Sequence, residues 1–388
     1  MECIIKVTDH CNFQCAYCSV GSPEKNKPLS LEIFKKFCDG LKELVIEQND
    51  NIVSFIWHGG EPTLIRPAFY EEAMSYARDI FIPIGREPFF KMQTNGSRLN
   101  AEWIALFKKF NVSLGLSLDG PALLHDQFRR TKNGEVTHVT IMQAIEALRA
   151  ENINFATLLV VTKPLLGHEK EIVDFFAQQA LQVKMNPLFD CGYATDNDNL
   201  SLSGQDYGIF LSKIFQYWMQ LEDERIVIEP LSGFMHAMLN DVNVSDCSYS
   251  TTCGKVMISL GSDGSIYPCG RFSDIQTMRY GSILDQSLIE LYNSENAKIL
   301  RNRVSSPIEE SCRRCQYFKL CHSGCAFSAY LKHGTAELKT PLCESNQFIF
   351  SYLKDQGLAL VLKKLVAHKR IIKMRLDNNK KTLESLSL

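Results

Sequence analysis

The sequence predicts an α/β fold: an open, partial (β/α)6 barrel, followed by a small cysteine-rich module and a C-terminal helical tail. Three observations carry this. Six short apolar runs alternate with stretches of helical periodicity between residues 3 and 189, which calls for parallel strands joined by right-handed crossovers. Six units fall short of an eight-fold barrel, and no GxGxxG follows the first run, so a dinucleotide fold is not indicated. From 245 to 345 the sequence turns to cysteines, glycines and short strands such as VMISLGSDGSIYPC.

The elements follow in order. Residues 3–7 (CIIKV) read as a buried strand, and 30–48 as a helix capped by Ser30. Residues 52–60 run from strand into a glycine turn, 67–82 are helix, 89–96 strand and turn, and 100–110 helix. Residues 112–120 are strand and turn, about 137–150 helix, 153–161 strand, 168–179 helix and 181–189 strand. One or two connecting helices occupy 205–240. The domains expected are a barrel over 1–225, a cysteine module over 226–350 and a tail over 351–388. The tail carries eight Lys/Arg between 363 and 381 against Asp377 alone, either a solvated helix face or a docking surface for an acidic partner.

Composition narrows the class. The 388 residues are 45% hydrophobic and 22% charged, which excludes wholesale disorder. Forty-two Lys+Arg against 44 Asp+Glu give no global pull toward nucleic acid or lipid headgroups, and no apolar run is long enough to span a bilayer. Without a signal-peptide pattern, a cytoplasmic location is expected, and there the 14 cysteines stay reduced. Cys3, Cys38 and Cys191 stand apart and read as small core hydrophobes. The other eleven fall into two groups at metal-binding spacing.

Cys11, Cys15 and Cys18 form C-x3-C-x2-C in the loop after the first strand. Structural zinc takes four ligands, whereas three thiolates on an iron–sulfur cube leave one iron open. Zinc borrowing a distant fourth ligand is the alternative. The stretch Cys11-Asn-Phe-Gln-Cys-Ala-Tyr-Cys18 resembles the cluster loop of radical S-adenosylmethionine (SAM) enzymes, and the likeness covers roughly residues 3–190. It implies a [4Fe–4S] cluster whose open iron holds SAM, an electron donor of flavodoxin or ferredoxin type, and generation of a 5′-deoxyadenosyl radical. Gly59, Gly60, Glu61 and Pro62 resemble the motif that meets the SAM amino group. Thr94, Asn95, Ser117 and Asp119 resemble residues around its methionyl and ribose parts. Arg129 is expected to pair with the SAM carboxylate, with Arg130 as the alternative, and Leu188 to lie near the adenine.

Cys247, Cys253, Cys269, Cys312, Cys315, Cys321, Cys325 and Cys343 fill two four-thiolate sites. Their spacing resembles the SPASM module of peptide-modifying radical SAM enzymes. The resemblance implies one auxiliary [4Fe–4S] cluster on Cys247, Cys253, Cys269 and Cys325, and a second on Cys312, Cys315, Cys321 and Cys343. Zinc ribbons are the alternative. Anaerobic sulfatase-maturing enzymes share this spacing and the SLDGP loop, but are expected to carry an Asp base directly after the position of Cys269. Here that residue is Gly270, followed by Arg271. The departure favours a maturase that crosslinks side chains of a ribosomally made precursor peptide, through a C–C or thioether bond. Formylglycine formation from Ser or Cys is the alternative, and a non-catalytic metal-binding scaffold a remote one. With no leader-binding domain ahead of the first strand, recognition is expected at the barrel mouth, at the basic tail or on a separate protein. No general base is assigned: Asp263 and Asp274 lie off the expected position, and Arg271 and His58 rest on nearness to the loops alone.

Overall fold

The structure, a computed structural model, describes residues 1–20, 27–196, 199–221, 225–273, 275–303 and 308–356. The six apolar runs become β1 (Glu2–Thr8), β2 (Val53–Gly59), β3 (Pro88–Thr94), β4 (Ser113–Ser117), β5 (Phe155–Val161) and β6 (Val183–Pro187). They pair in parallel in chain order, as interleaved helices require. Four further strands complete one ten-stranded sheet: β7 (Ile228–Glu229), β8 (Met257–Leu260), β9 (Ser265–Tyr267) and β10 (Gly281–Ser282). The strand order is β10-β9-β8-β1-β2-β3-β4-β5-β6-β7. The cysteine module is therefore not detached from the barrel: β8 lies parallel to β1, with Cys3 opposite Ile258 and Ile5 opposite Leu260.

The crossover helices are α1 (Leu31–Glu47), α2 (Pro67–Phe81), α3 (Ala101–Phe110), α4 (Ala122–Phe128), α5 (His138–Ala150) and α6 (Glu169–Gln178). Each of the longer ones buries a stripe against the sheet. In α1 that stripe is Phe34, Phe37, Cys38, Leu41, Leu44 and Val45, and Ser30 Oγ caps the helix by accepting from the Ile33 N–H at 3.2 Å. The central strands contribute Cys3, Ile5, Phe55 and Trp57, all fully buried. Cys3 and Cys38 are thus core hydrophobes, and Cys191 is half-buried.

Helix α7 (Asp206–Gln220) leads to α8 (Leu231–Asn240), and the module adds α9 (Leu288–Tyr292), α10 (Glu295–Arg303), α11 (Glu310–Arg313), α12 (Phe318–Cys321), α13 (Ala326–His333) and α14 (Cys343–Asp355). Helix α14 packs back on α7. A Cβ at Gly208 would stand 2.5 Å from the Ser345 carbonyl oxygen, and Ser345 Oγ donates to the Gly204 carbonyl at 2.6 Å. That contact holds Cys343, at the start of α14, against the barrel. The basic stretch 363–381 lies outside the described residues.

Candidate functional site

The loop after β1 carries Cys11, Cys15 and Cys18, and neighbouring segments fix its path. Gln14 N–H donates to the Arg130 carbonyl (2.8 Å), Ala16 N–H to the Phe128 carbonyl (2.9 Å), and Tyr193 N–H to the Cys18 carbonyl (2.9 Å). Burial pushes the Cys15 thiol up to about 12, and the neighbouring Cys18 and Cys11 add to the rise. Three thiolates here repel one another unless a cation core lies among them. Among the described residues, no three or more His, Cys, Asp or Glu side chains close around a single-ion position. A cube of four irons, three of them each taking one of these thiolates, holds its ligands farther apart than one ion does.

The glycine turn after β2 packs directly on this loop. A Cβ at Gly60 would lie 2.3 Å from the His10 carbonyl oxygen, and one at Gly59, whose φ is +132°, 2.2 Å from that of Thr8. Only glycine allows the two loops to touch, which brings bare backbone beside the cysteine trio. Glu61 faces the other way. Its carboxylate is 1% exposed and accepts from the Thr63 N–H (2.9 Å), Thr63 Oγ (2.5 Å), Thr94 Oγ (2.6 Å) and the Asn95 N–H (2.7 Å). Glu61 and Thr94 together lock the ends of β2 and β3, and the buried Pro62 accepts from Tyr70 OH through its carbonyl at 2.6 Å. Asn95 Nδ2 donates to Asn12 Oδ1 (2.9 Å) and approaches Cys11 Sγ at 3.9 Å.

From the β4 side come Ser117, which accepts from Gln93 Nε2 at 3.1 Å, and the fully buried Asp119. Asp119 Oδ2 accepts from Tyr17 OH, within the cysteine loop, and Oδ1 from the Val160 N–H at 3.1 Å. Arg129 Nη1 donates to Tyr17 OH at 2.8 Å, while its Nε is buried without a partner among the described residues. Arg130, by contrast, is exposed and donates to the Gly134 carbonyl at 2.8 Å. Helix α4 sets the Arg129 backbone. His125, fully buried in α4, accepts from the Asp119 N–H at Nδ1 (3.2 Å) and meets Thr137 Oγ at Nε2 (3.0 Å); that hydroxyl donates to the Arg129 carbonyl at 2.7 Å. Leu188, buried beyond β6, has its N–H on the Val161 carbonyl at 3.0 Å. His58 accepts from the Gly59 N–H at 2.8 Å, and burial lowers it to about 4.

The eight remaining thiols gather in two places. Burial raises Cys253, and Cys269, Cys325 and Cys247 around it raise it further. Tyr280 OH, buried without a partner among the described residues, is likewise raised by burial and then by Cys253 and Cys269. Cys312, Cys315, Cys321 and Cys343 line one cavity together with Asn346 and Gln347, which donate to Cys321 Sγ (3.5 Å) and toward Cys315 and Cys343 Sγ (3.9 and 3.8 Å). Buried Arg303 ties the module together by donating to the carbonyls of Ala336, Gly324, Ser323 and Leu338 at 2.5–3.1 Å. A second cavity runs from the end of β6 to the module, lined by Asn186, Pro187, Phe189, Asp246, Ser248 and Cys325.

The barrel thus offers three thiols, a glycine cradle and an orphaned guanidinium N–H beside one another, a set that fits a SAM-bound cluster. The module offers two four-thiol sets with donors aimed at sulfur, which fit fully ligated clusters. Sequence reasoning missed Thr63, which holds the Glu61 carboxylate from two residues away, and Gln93 and Arg303, whose roles depend on contacts far along the chain. Asp263 accepts from the Ser265 N–H (3.0 Å) and serves the β8–β9 turn, and Asp274 lies outside the described residues.

This is a radical SAM fold joined to an auxiliary-cluster domain. Residues 5–176 match the radical SAM superfamily, and 247–316 match SPASM, an iron–sulfur cluster-binding domain. The chain is a radical SAM enzyme with a SPASM domain, related to the anaerobic sulfatase-maturing enzymes, and the two domains imply SAM and [4Fe–4S] clusters as cofactors. It is 27% identical over 352 residues to the cysteine-type anaerobic sulfatase-maturating enzyme of Clostridium perfringens, covering 88% of this chain and 93% of that one. To the serine-type enzyme of Bacteroides thetaiotaomicron it is 26% identical over 354 residues, covering 84% and 82%. The solved structure of native anSMEcpe with bound AdoMet and Cp18Cys peptide superposes with a TM-score of 0.82 at 25% identity, covering 93% of this chain and 98% of that one. Streptococcus suis SuiB bound to its precursor peptide SuiA superposes at 0.64 and 16% identity, covering 88% and 75%, a likeness of fold alone. No described helix is long and apolar enough to cross a membrane.

Proposed function

We propose that this enzyme oxidises a Ser or Cys side chain of a peptide or protein to the aldehyde formylglycine, as sulfatase maturation requires. The observation that carries this reading is the likeness, over nine-tenths of both chains, to a structure holding AdoMet and a Cys-containing peptide. The preference for crosslinking rested on Gly270, and the relatives favour the oxidation instead.

When bound, SAM and its cluster supply the 5′-deoxyadenosyl radical that takes one hydrogen atom, and the auxiliary clusters supply an acceptor for the second electron. The hydroxyl or thiol proton would leave to solvent, and from Cys the resulting thioaldehyde would be hydrolysed by water with loss of its sulfur as sulfide. Cys11, Cys15 and Cys18 would hold the first cluster. Gly59 and Gly60 would present backbone to the SAM amino group, and Arg129 its free Nε–H to the carboxylate. Asn95, Ser117, Asp119 and Leu188 would line the remainder. Glu61, with its carboxylate spent on four donors within the chain, would position the cradle from behind. The peptide would enter along the cavity at the end of β6, beside Cys325 and the first four-thiol set. Gly270 offers no proton acceptor there, and Asp246 on the wall is held by Lys184. An electron donor of flavodoxin or ferredoxin type would feed the barrel cluster, and a separate leader-binding protein would be needed only for a precursor peptide.

The test is tandem mass spectrometry of anaerobic reactions of the reconstituted enzyme with SAM, reductant and a sulfatase-motif peptide carrying Ser or Cys. A hydrazine-reactive aldehyde at that residue supports the proposal. Turnover of SAM with no aldehyde, and loss of two hydrogens from a gene-neighbouring precursor with fragmentation suppressed between two residues, would establish crosslinking in its place.

A further inference from the structure

Position 270 is closed on one side by β1: a Cβ there would meet Ile4 Cγ2 at 3.0 Å and Cδ1 at 3.2 Å. The next residue, Arg271, brings a cation one position beyond the one at which related enzymes are expected to carry a carboxylate. Its Nη1 donates to Cys325 Sγ at 3.2 Å and to Ser248 Oγ at 3.3 Å, and its guanidinium carbon lies 4.6 Å from the centre of the Phe189 ring. The ring orients the planar guanidinium and keeps water from one of its faces, so the charge acts with little screening. The sulfur-directed side-chain hydrogen bonds of the second set come from neutral groups, Ser323, Asn346 and Gln347.

We infer that Arg271 is a positioning residue that raises the reduction potential of the cluster on Cys247, Cys253, Cys269 and Cys325, through its N–H···S bond to Cys325 and its permanent charge. This rests on the reading that those four thiols hold a cluster. A cube bearing four thiolates is already anionic, and taking up one electron adds a further negative charge. A cation in hydrogen-bond contact with one sulfur favours the reduced form over the oxidised one. The effect is local. It bears on one auxiliary site and leaves the barrel cluster and the second auxiliary cluster as they are.

The experiment is an anaerobic potentiometric titration, followed by electron paramagnetic resonance, of the reconstituted full chain and of Arg271→Met, Arg271→Gln and Arg271→Lys. Iron and sulfide are counted first. With a three-cluster iron content throughout, one midpoint should fall in the Met variant, fall less in Gln, which keeps a donor, and least in Lys, which keeps the charge. The other two midpoints should stay. If the Met variant loads less iron, Gln and Lys carry the comparison. Midpoints unchanged in the loaded variants, or shifted equally at all clusters, would overturn the assignment. A parent chain holding only the barrel cluster would instead overturn the reading beneath it.

Discussion

At the scale of single residues, the trio Cys11, Cys15 and Cys18 was legible because three thiols within eight residues have few structural uses in a reduced chain. Cys15→Ala should abolish 5′-deoxyadenosine formation and remove one cluster's worth of iron, while the iron on the module stays. Chromatography of the quenched reaction and an iron count check both, and normal SAM cleavage in this variant would sink the mechanism. Glu61 was legible as a residue of the expected motif but not in its role, because two of its four donors, Thr94 Oγ and the Asn95 N–H, only become neighbours when β2 and β3 pair. Glu61→Gln turns an acceptor into a donor facing other donors, and should cost about 1–3 kcal/mol of stability. Denaturant unfolding measures it; stability equal to the parent would show that the network is dispensable. Arg271 gave almost no signal in sequence, since nothing local distinguishes an arginine held against a ring and a thiol from one in solvent.

At the scale of elements, β1 to β6 and their long helices stood out because short apolar runs alternate with stretches of helical period, even where, as in β3, buried and exposed residues alternate along the strand. The two-residue strands β7 and β10 are too short to show a period, and α4 is a short helix hidden in a loop that reads as glycine turn. Yet α4 places Arg129, and it does so through a neutral imidazole. Burial, then the nearby Arg129 charge, lowers His125 to about 2, well below its ordinary 6.5. The folded state therefore resists protonation that the unfolded chain accepts. Stability is full above pH 6.5 and declines as the pH falls toward the folded value, by about 3 kcal/mol at about pH 4. His125→Gln, which cannot titrate, should show a shallower acid decline when unfolding is compared at pH 7, 5 and 4. Parallel declines for variant and parent would show that His125 carries none of the pH dependence.

At the scale of the whole molecule, the sequence read as a barrel followed by a separate module, whereas the sheet passes without a break from one to the other. The β1–β8 pairing joins residues some 250 positions apart, and no local pattern announces it. A fragment ending at residue 245 would leave the edge of β1 bare, with Glu2, Cys3, Ile4 and Ile5 unpaired on that side. Such a fragment should aggregate on size-exclusion chromatography, and a monodisperse, folded fragment would show that the barrel closes by itself. The interleaving of the eight later thiols has a further consequence, in time rather than in space. During synthesis Cys11, Cys15 and Cys18 leave the ribosome together, but the set around Cys253 waits for Cys325, which emerges only after Cys312, Cys315 and Cys321. For that interval the nascent chain displays up to six unmatched thiols from two different sites, free to bind metal in the wrong combination. Correct loading is then a task for the finished polypeptide, and the cell's iron–sulfur delivery machinery must reach a chain whose barrel is already folding.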